Sequence, residues 1–210
     1  MEILDAIRRR RAVRDYKPDR VPAAILQQLI AAASWAPSAM NEQPWHFTVV
    51  TDRDLMNQVS TRAKSMMLKS VDTMPRPGHF QDILSDPHFN IFYNAPVLLV
   101  ISAPAERQWC TEDCAMAAEN LMLAALHIGL GSCWIGFAQT WLNSEQGLKV
   151  LGLPRTQRVV APIIIGYPKT DPPPVARKSP AVSWIGDSFV AGEPAETAPT
   201  AGLYGTLVHP

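Results

Sequence analysis

Between residues 6 and 22 the chain reads "AIRRRRAVRDYKPDRVP", which places Arg8, Arg9, Arg10, Arg11 and Arg14 within seven positions. Across all 210 residues, 19 Lys and Arg balance 19 Asp and Glu, so the cluster is local and the chain has no global field. An arginine presents paired N–H donors in a rigid fork that suits a phosphate. Three uses are open: a solvated helix end, a nucleic-acid patch, or a clamp on a phosphate-bearing ligand. The patch is disfavoured because the run stops at once and no aromatics interleave it. A clamp needs a second contribution. Arg177 and Lys178, after the proline-rich "PKTDPPPVARKSP", are the candidates.

Two further stretches carry chemistry. In "WAPSAMNEQPWHFTVV" (35–50), Ser38, Asn41 and Gln43 set hydrogen-bonding side chains between Pro37 and Pro44, in a turn that leaves a helix. A plain capped turn explains the prolines and Ser38, and explains Asn41, Gln43 and Trp45 together less well. In "GLGSCWIGF" (129–137), three glycines leave backbone amides bare to a planar ligand, although a helix stop before a strand uses glycine too. The five histidines show no H-x-x-x-H spacing, so no metal site is expected. No serine stands in a G-x-S-x-G context.

The elements that must hold these residues follow from periodicity. Ile3, Leu4 and Ile7 make a short amphipathic helix before the arginines. Pro22 opens a second helix and Pro37 bars its continuation. "HFTVVT" is a strand, and Asp52 caps the helix after it. Residues 72–94 read as a loop-rich excursion with Phe80, Phe89, Phe92 and Tyr93. "PVLLVISA", "SCWIGF" and "VVAPIIIGY" read as buried strands. The helix in "TEDCAMAAENLMLAALHIGLG", capped by Thr111, is apolar almost all round. It must therefore be covered on every side, by the core or by a partner subunit. A short helix is expected near 143–151.

Alternating helices and strands predict a layered α/β or α+β domain. With no G-x-G-x-x-G and no phosphate-loop lysine motif, a doubly wound dinucleotide fold is not indicated. From Pro168 the texture is proline-rich. The tail beyond Ala181 holds only the apolar cluster Trp184, Ile185, Phe189 and Val190, which suggests an arm that docks elsewhere. Cys110, Cys114 and Cys133, with no secretory signal and no membrane-length apolar run, suit reduced thiols in the cytoplasm.

Taken together, "RRRAVRDYKPDRVP", "APSAMNEQPWHF", "CAMAAENLMLAALHIGLGSCWIGF", "IIIGYP" and "ARKSP" resemble, in order, the nitroreductase family of FMN-dependent oxidoreductases. The resemblance implies an α+β, three-layer α/β/α fold with a mixed, mostly antiparallel sheet and a long central interface helix. It implies a homodimer with FMN at the subunit interface, a core over 1–172, and a segment 173–210 docking on the partner subunit. Carried over by position, Arg10 and Arg11 would hold the FMN phosphate, joined by Arg177 or Lys178, and Arg14 would reach the ribityl chain or the pyrimidine edge. Pro37, Ser38, Ala39, Met40, Asn41 and Gln43 would come from the partner's loop. Backbone groups at Ile135, Gly136 and Phe137 would face the ring. Ala12 departs from the serine usual in the family, and the acidic residue many relatives carry near Gly136 is absent.

The activity implied is hydride transfer from NADH or NADPH to flavin N5, then reduction of a small-molecule acceptor such as a nitroaromatic or quinone, in ping-pong order. No catalytic side chain is expected, and neither a nucleic acid nor a membrane is an expected partner. The acceptor pocket would draw on Phe80, Phe89, Phe92 or Trp109. Dehalogenation, dehydrogenation, flavin cleavage and a non-catalytic flavin carrier or sensor remain alternatives.

Overall fold

The structure is a computed structural model that describes residues 2–70 and 77–185. In chain order the elements are α1 (Ile3–Arg9), α2 (Ala23–Ser34), a 3-10 turn (Ala39–Asn41), β1 (His46–Val50), α3 (Arg53–Leu68), α4 (Pro77–Ser85) and β2 (Val97–Pro104). Then follow α5 (Cys110–His127), β3 (Gly131–Trp134), α6 (Gly136–Leu142), α7 (Glu145–Val150) and β4 (Gln157–Gly166). The sheet order is β1-β2-β4-β3, and every strand pair is antiparallel. The class is α+β.

Period-2 alternation along β2 builds the layers. Leu98 and Val100 face a core shared with α3, α6 and α7, whereas Val97, Leu99 and Ile101 face one shared with α2 and α5. Helices thus cover both faces of the sheet, and its central strands read as unbroken apolar runs for that reason. Near one end the register shifts between Ile101 and Ser102, leaving Val160 as an extra residue on β4. Asn143 occupies the gap. Its Oδ1 accepts from Val159 N at 2.9 Å and its Nδ2 donates to Val159 O at 2.8 Å.

Pro162 lies inside β4, a central strand, where a missing N–H normally breaks a ladder. Its carbonyl accepts from Ile135 N at 2.8 Å, on the side where β3 has just ended at Trp134. N–H and C=O of one antiparallel residue point the same way, so the absent donor falls where no strand remains to receive it.

The structure differs from the sequence reading in three places. The expected strand "SCWIGF" stops at Trp134. Gly136 then opens α6, because Ala138, Trp141 and Leu142 recur at helical spacing and are buried. The helix expected near 143–151 is α7, shorter at both ends. α5 starts at Cys110, one residue before the expected cap Thr111, since the Cys110 side chain is already in the core. One stripe of α5 stays open: Met116 is 38% exposed, so the single chain does not cover this helix all round.

The first compact unit runs to Pro174 and the second begins at Val175. Within the second, the structure describes 175–185, where Trp184 and Ile185 are exposed. Phe189 and Val190 of the expected arm lie outside the described residues.

Candidate functional site

After α1 the chain straightens and runs along the free edge of β3. Ala12 bridges Ser132 in parallel, Val13 N donates to Ser132 O at 3.0 Å, and Lys17 N donates to Tyr167 O at 2.8 Å. Tyr16 Oη returns to Val13 O at 2.7 Å. Gly131 permits this approach: a Cβ there would stand 2.6 Å from Val13 Cγ2. The edge strand is thereby covered, and the arginines are fixed to the sheet.

Arg9, Arg10 and Arg11 line one cavity of about 360 Å³, whose apolar side includes Met122, Leu126 and Leu130. Arg10 Nε pairs with Glu119 Oε1 of α5 at 3.0 Å. Arg11 Nη1 donates to the carbonyls of Arg8 and Arg10, which holds the guanidinium over the end of α1. Its Nε is buried and, among the described residues, has no hydrogen-bond partner. A buried cationic donor without an acceptor is costly, and an anion in the cavity would satisfy it.

Arg14 points elsewhere. Its guanidinium carbon lies 6.0 Å from the Tyr93 ring centroid, and its charge acts on the Tyr93 phenol and the Cys133 thiol. Burial pushes both of those groups up, with Arg14 opposing the shift. Burial also pushes Tyr16 up, far above the ordinary range for a phenol. All three therefore stay protonated at neutral pH and supply no base there. Arg14 shares a second cavity, of about 750 Å³, with Tyr93 and Phe137. Ile135 is the N-cap of α6. Beside it, Gly136 has no atom within 4 Å of where a Cβ would stand, so its surface is open to a flat group.

The 37–43 loop is a separate construction. Met40, Asn41 and Gln43 have φ of 53°, 55° and 49°, in the left-handed region that non-glycine residues rarely occupy. Ser38 Oγ accepts from Gln43 N at 2.9 Å, and Gln43 Nε2 donates to Asn41 Oδ1 at 3.1 Å. Ala39 N donates to the buried carboxylate of Asp113 at 2.9 Å. Strain held by a network of this kind marks a built surface. Trp35 and Met40, on either side of Pro37, are 86% and 91% exposed.

The expected residues thus form three groups within the chain. Arg10 and Arg11 share the first cavity, with Ala12 bound to β3 beside them. Arg14 stands with Phe137, next to Ile135 and Gly136. Pro37, Ser38, Ala39, Met40, Asn41 and Gln43 are tethered at Asp113. Asp113 and Glu119, the two anchors on α5, are about 9 Å apart along the axis and about 120° apart around it. Arg177 and Lys178 are exposed residues of the second unit.

Sequence reasoning missed Glu119 and Asp113 as parts of the site, and placed Phe137 there by its backbone rather than by its ring. Glu119 was detectable as the lone charge in the middle of an apolar helix. Asp113, in the first turn of α5, carries only the ordinary signal of an acidic residue at a helix start. Of the aromatics expected around an acceptor, Phe80 and Phe89 do line the second cavity. Phe92 is fully buried in the core, and Trp109 stands before α5, 51% exposed. Among the described residues, no group of His, Cys, Asp or Glu could hold a metal, and no helix is long and apolar enough to cross a membrane.

Comparison with known proteins gives a consistent result. The model of the Nitroreductase family matches residues 7–167. A protein of Archaeoglobus fulgidus named "Putative NADH dehydrogenase/NAD(P)H nitroreductase" is 30% identical over 170 residues, covering 81% of this chain and 87% of its own. An iodotyrosine deiodinase of Thermotoga neapolitana is 28% identical over 129 residues, 58% of this chain and 67% of its own. Among solved structures, a nitroreductase with bound FMN from Bacteroides fragilis superposes with a TM-score of 0.76 at 28% identity, covering 89% of this chain and all of the other.

Proposed function

The chain belongs to the Nitroreductase family, and from that premise we propose that it is an FMN-dependent oxidoreductase acting as a homodimer. The observation that carries the reading is the cradle of Arg9, Arg10 and Arg11, with the buried, unpartnered Nε of Arg11. A cofactor phosphate supplies the missing acceptor, and the open surface at Gly136 leaves room for a planar ring. FMN held there would supply the redox chemistry, hydride acceptance from NADH or NADPH and two-electron reduction of a nitroaromatic or quinone in ping-pong order.

In this reading Arg10 and Arg11 hold the phosphate, and Arg177 or Lys178 adds a further charge. Arg14 holds the electron-rich edge of the ring and stabilises negative charge there. An aryl nitro group that takes up two electrons and two protons leaves as the nitroso compound and water. A quinone leaves as the hydroquinone. Tyr16, Tyr93 and Cys133 stay protonated, and the proton beyond the donor's hydride comes from solvent.

Surface left open in one chain supports the dimer: the apolar side chains of Trp35, Met40, Met116, Ile3 and Ile7 are all exposed. The two anchors on different flanks of α5 suit the same reading, with a partner's 37–43 loop brought to the first subunit's arginines. The core over 1–172 then carries the site, and 173–210 acts as an arm on the partner. Deleting 181–210 lowers the dimer mass or the flavin content if so.

Titration of flavin-free protein with FMN, followed by quenching of flavin fluorescence, tests the cofactor assignment. Saturation at one FMN per chain is expected, with binding lost in Arg10→Ala/Arg11→Ala. Tight binding retained in that double variant contradicts it. A second reading, reductive dehalogenation of an aromatic, is favoured by the similarity to the iodotyrosine deiodinase. Release of iodide from an iodophenol by the reduced protein would establish it.

A further inference from the structure

The second cavity has a charge pattern that the proposed activity does not require. His79, Asp82 and Ile83 of α4, with Asp86 just beyond its end, line the space together, while Leu84 on the other face of the helix is buried in the core. The remaining lining is Arg14 with the rings of Phe80, Phe89, Tyr93 and Phe137. Phe80 meets Phe137 edge-on at 5.7 Å, and Phe89 meets Tyr93 edge-on at 5.6 Å, so the rings form two interlocked pairs.

Among the described residues, Lys64 and Arg14 bring positive charge to this space, Lys64 with its Nζ 6.0 Å from the Phe89 ring centroid. Lys64 is buried, and its Nζ donates to the carbonyls of Asp86 and Phe89, each at 2.7 Å. Arg14 stands 6.0 Å from the Tyr93 ring centroid. Asp82 and Asp86 are exposed, and neither forms a salt bridge among the described residues. Asp86 Oδ1 accepts the His88 amide of its own turn at 2.8 Å.

We propose that this cavity selects flat aromatic electron acceptors that carry a fixed positive charge. The acceptor ring stacks among the four aromatic side chains, and its cationic substituent lies against the α4 face beside Asp82 and Asp86. Aromatic faces and carboxylates both attract a quaternary ammonium, which cannot form the hydrogen bonds that water would otherwise satisfy. Arg14 sets the orientation: it repels the cation and attracts the negative charge that develops on the oxygen being reduced. The proposal rests on the reading of the protein as a flavin-dependent oxidoreductase and adds the class of acceptor.

The test compares 4-nitrobenzyltrimethylammonium, 4-nitrophenylacetate and the neutral 4-nitrobenzyl alcohol, in the wild type and in Asp82→Asn/Asp86→Asn. The ratio of kcat/KM for cation over anion is expected to fall about tenfold in the variant, with the alcohol unchanged. A ratio that does not move, or a wild type that prefers the anion, overturns the proposal. Calorimetric binding of benzyltrimethylammonium and of phenylacetate, neither of them reducible, gives a readout free of turnover. Binding of the cation that is lost in the variant supports the pocket assignment even if no nitro compound is reduced, in which case the function reading alone has failed. No binding of the cation overturns the assignment even if all three nitro compounds are turned over.

Discussion

Asp113, only 3% exposed, accepts the amide of Ala39 at 2.9 Å across 74 positions of sequence. That bond ties the strained 37–43 loop to the first turn of α5, the helix whose other anchor, Glu119, holds Arg10. A hydrogen bond to a buried carboxylate contributes more than a neutral one. Asp113→Ala is therefore expected to cost about 2 kcal/mol in denaturant unfolding, and Asp113→Asn, which keeps an acceptor oxygen, clearly less. An alanine variant as stable as the wild type would mean the loop is held by its own turns.

Gly131 is predicted to be intolerant of alanine. The added Cβ falls 2.6 to 2.8 Å from three atoms of Val13, on a segment hydrogen-bonded to β3, so the segment must shift. A loss of about 1–3 kcal/mol is expected. Truncating the neighbour should return part of it: Gly131→Ala/Val13→Ala is expected to be more stable than the sum of the two single losses. Strict additivity in this double-mutant cycle would show that the clash does not set the cost.

Ala12→Ser should tighten FMN. Ala12 lies in sequence between Arg11 and Arg14, and it is exposed. One added hydrogen bond is worth about 1 kcal/mol, or about fivefold in Kd. Fluorescence titration of the two flavin-free proteins measures it, and equal affinities would place Ala12 away from the cofactor.

Alkaline pH is predicted to destabilise the fold. Burial, reinforced by Cys110 and Asp113, raises the Cys114 thiol from its ordinary 9.0 to about 12. Between those values the unfolded chain releases the proton while the folded chain keeps it, so stability falls as pH rises through that window. The slope from this group alone approaches about 1.4 kcal/mol per pH unit. Tyr16, Tyr93 and Cys133 are raised too and act in the same direction. Comparison of unfolding at pH 8 and pH 10 should show a larger loss for the wild type than for Cys114→Ala. Equal losses would remove Cys114 from the account.

Much of this fold is legible in the sequence because its strands are short apolar runs and its helices carry clear stops. Pro22, Asp52 and Gly129 each mark a boundary by a local mechanism that tertiary context does not override. α6 is not legible, since "GFAQTWL" continues an apolar run and only burial of Trp141 and Leu142 against the sheet decides for helix. The cluster of arginines that lines the first cavity is legible in type and spacing. Its partners are not: Glu119 reaches Arg10 over 109 positions, and Asp113 reaches Ala39 over 74. Such pairings depend on topology, which no local pattern encodes. Phe92 illustrates the same limit, an aromatic in the expected excursion that turns inward to the core while Tyr93 turns to Arg14.

The most direct measurement is the absorption spectrum of the purified protein, repeated after anaerobic addition of NADPH and then NADH. The account predicts flavin bands that bleach with at least one of the two nucleotides and return when a nitroaromatic or quinone is added. A colourless protein that takes up no added FMN, or a yellow one that neither nucleotide bleaches, would contradict it.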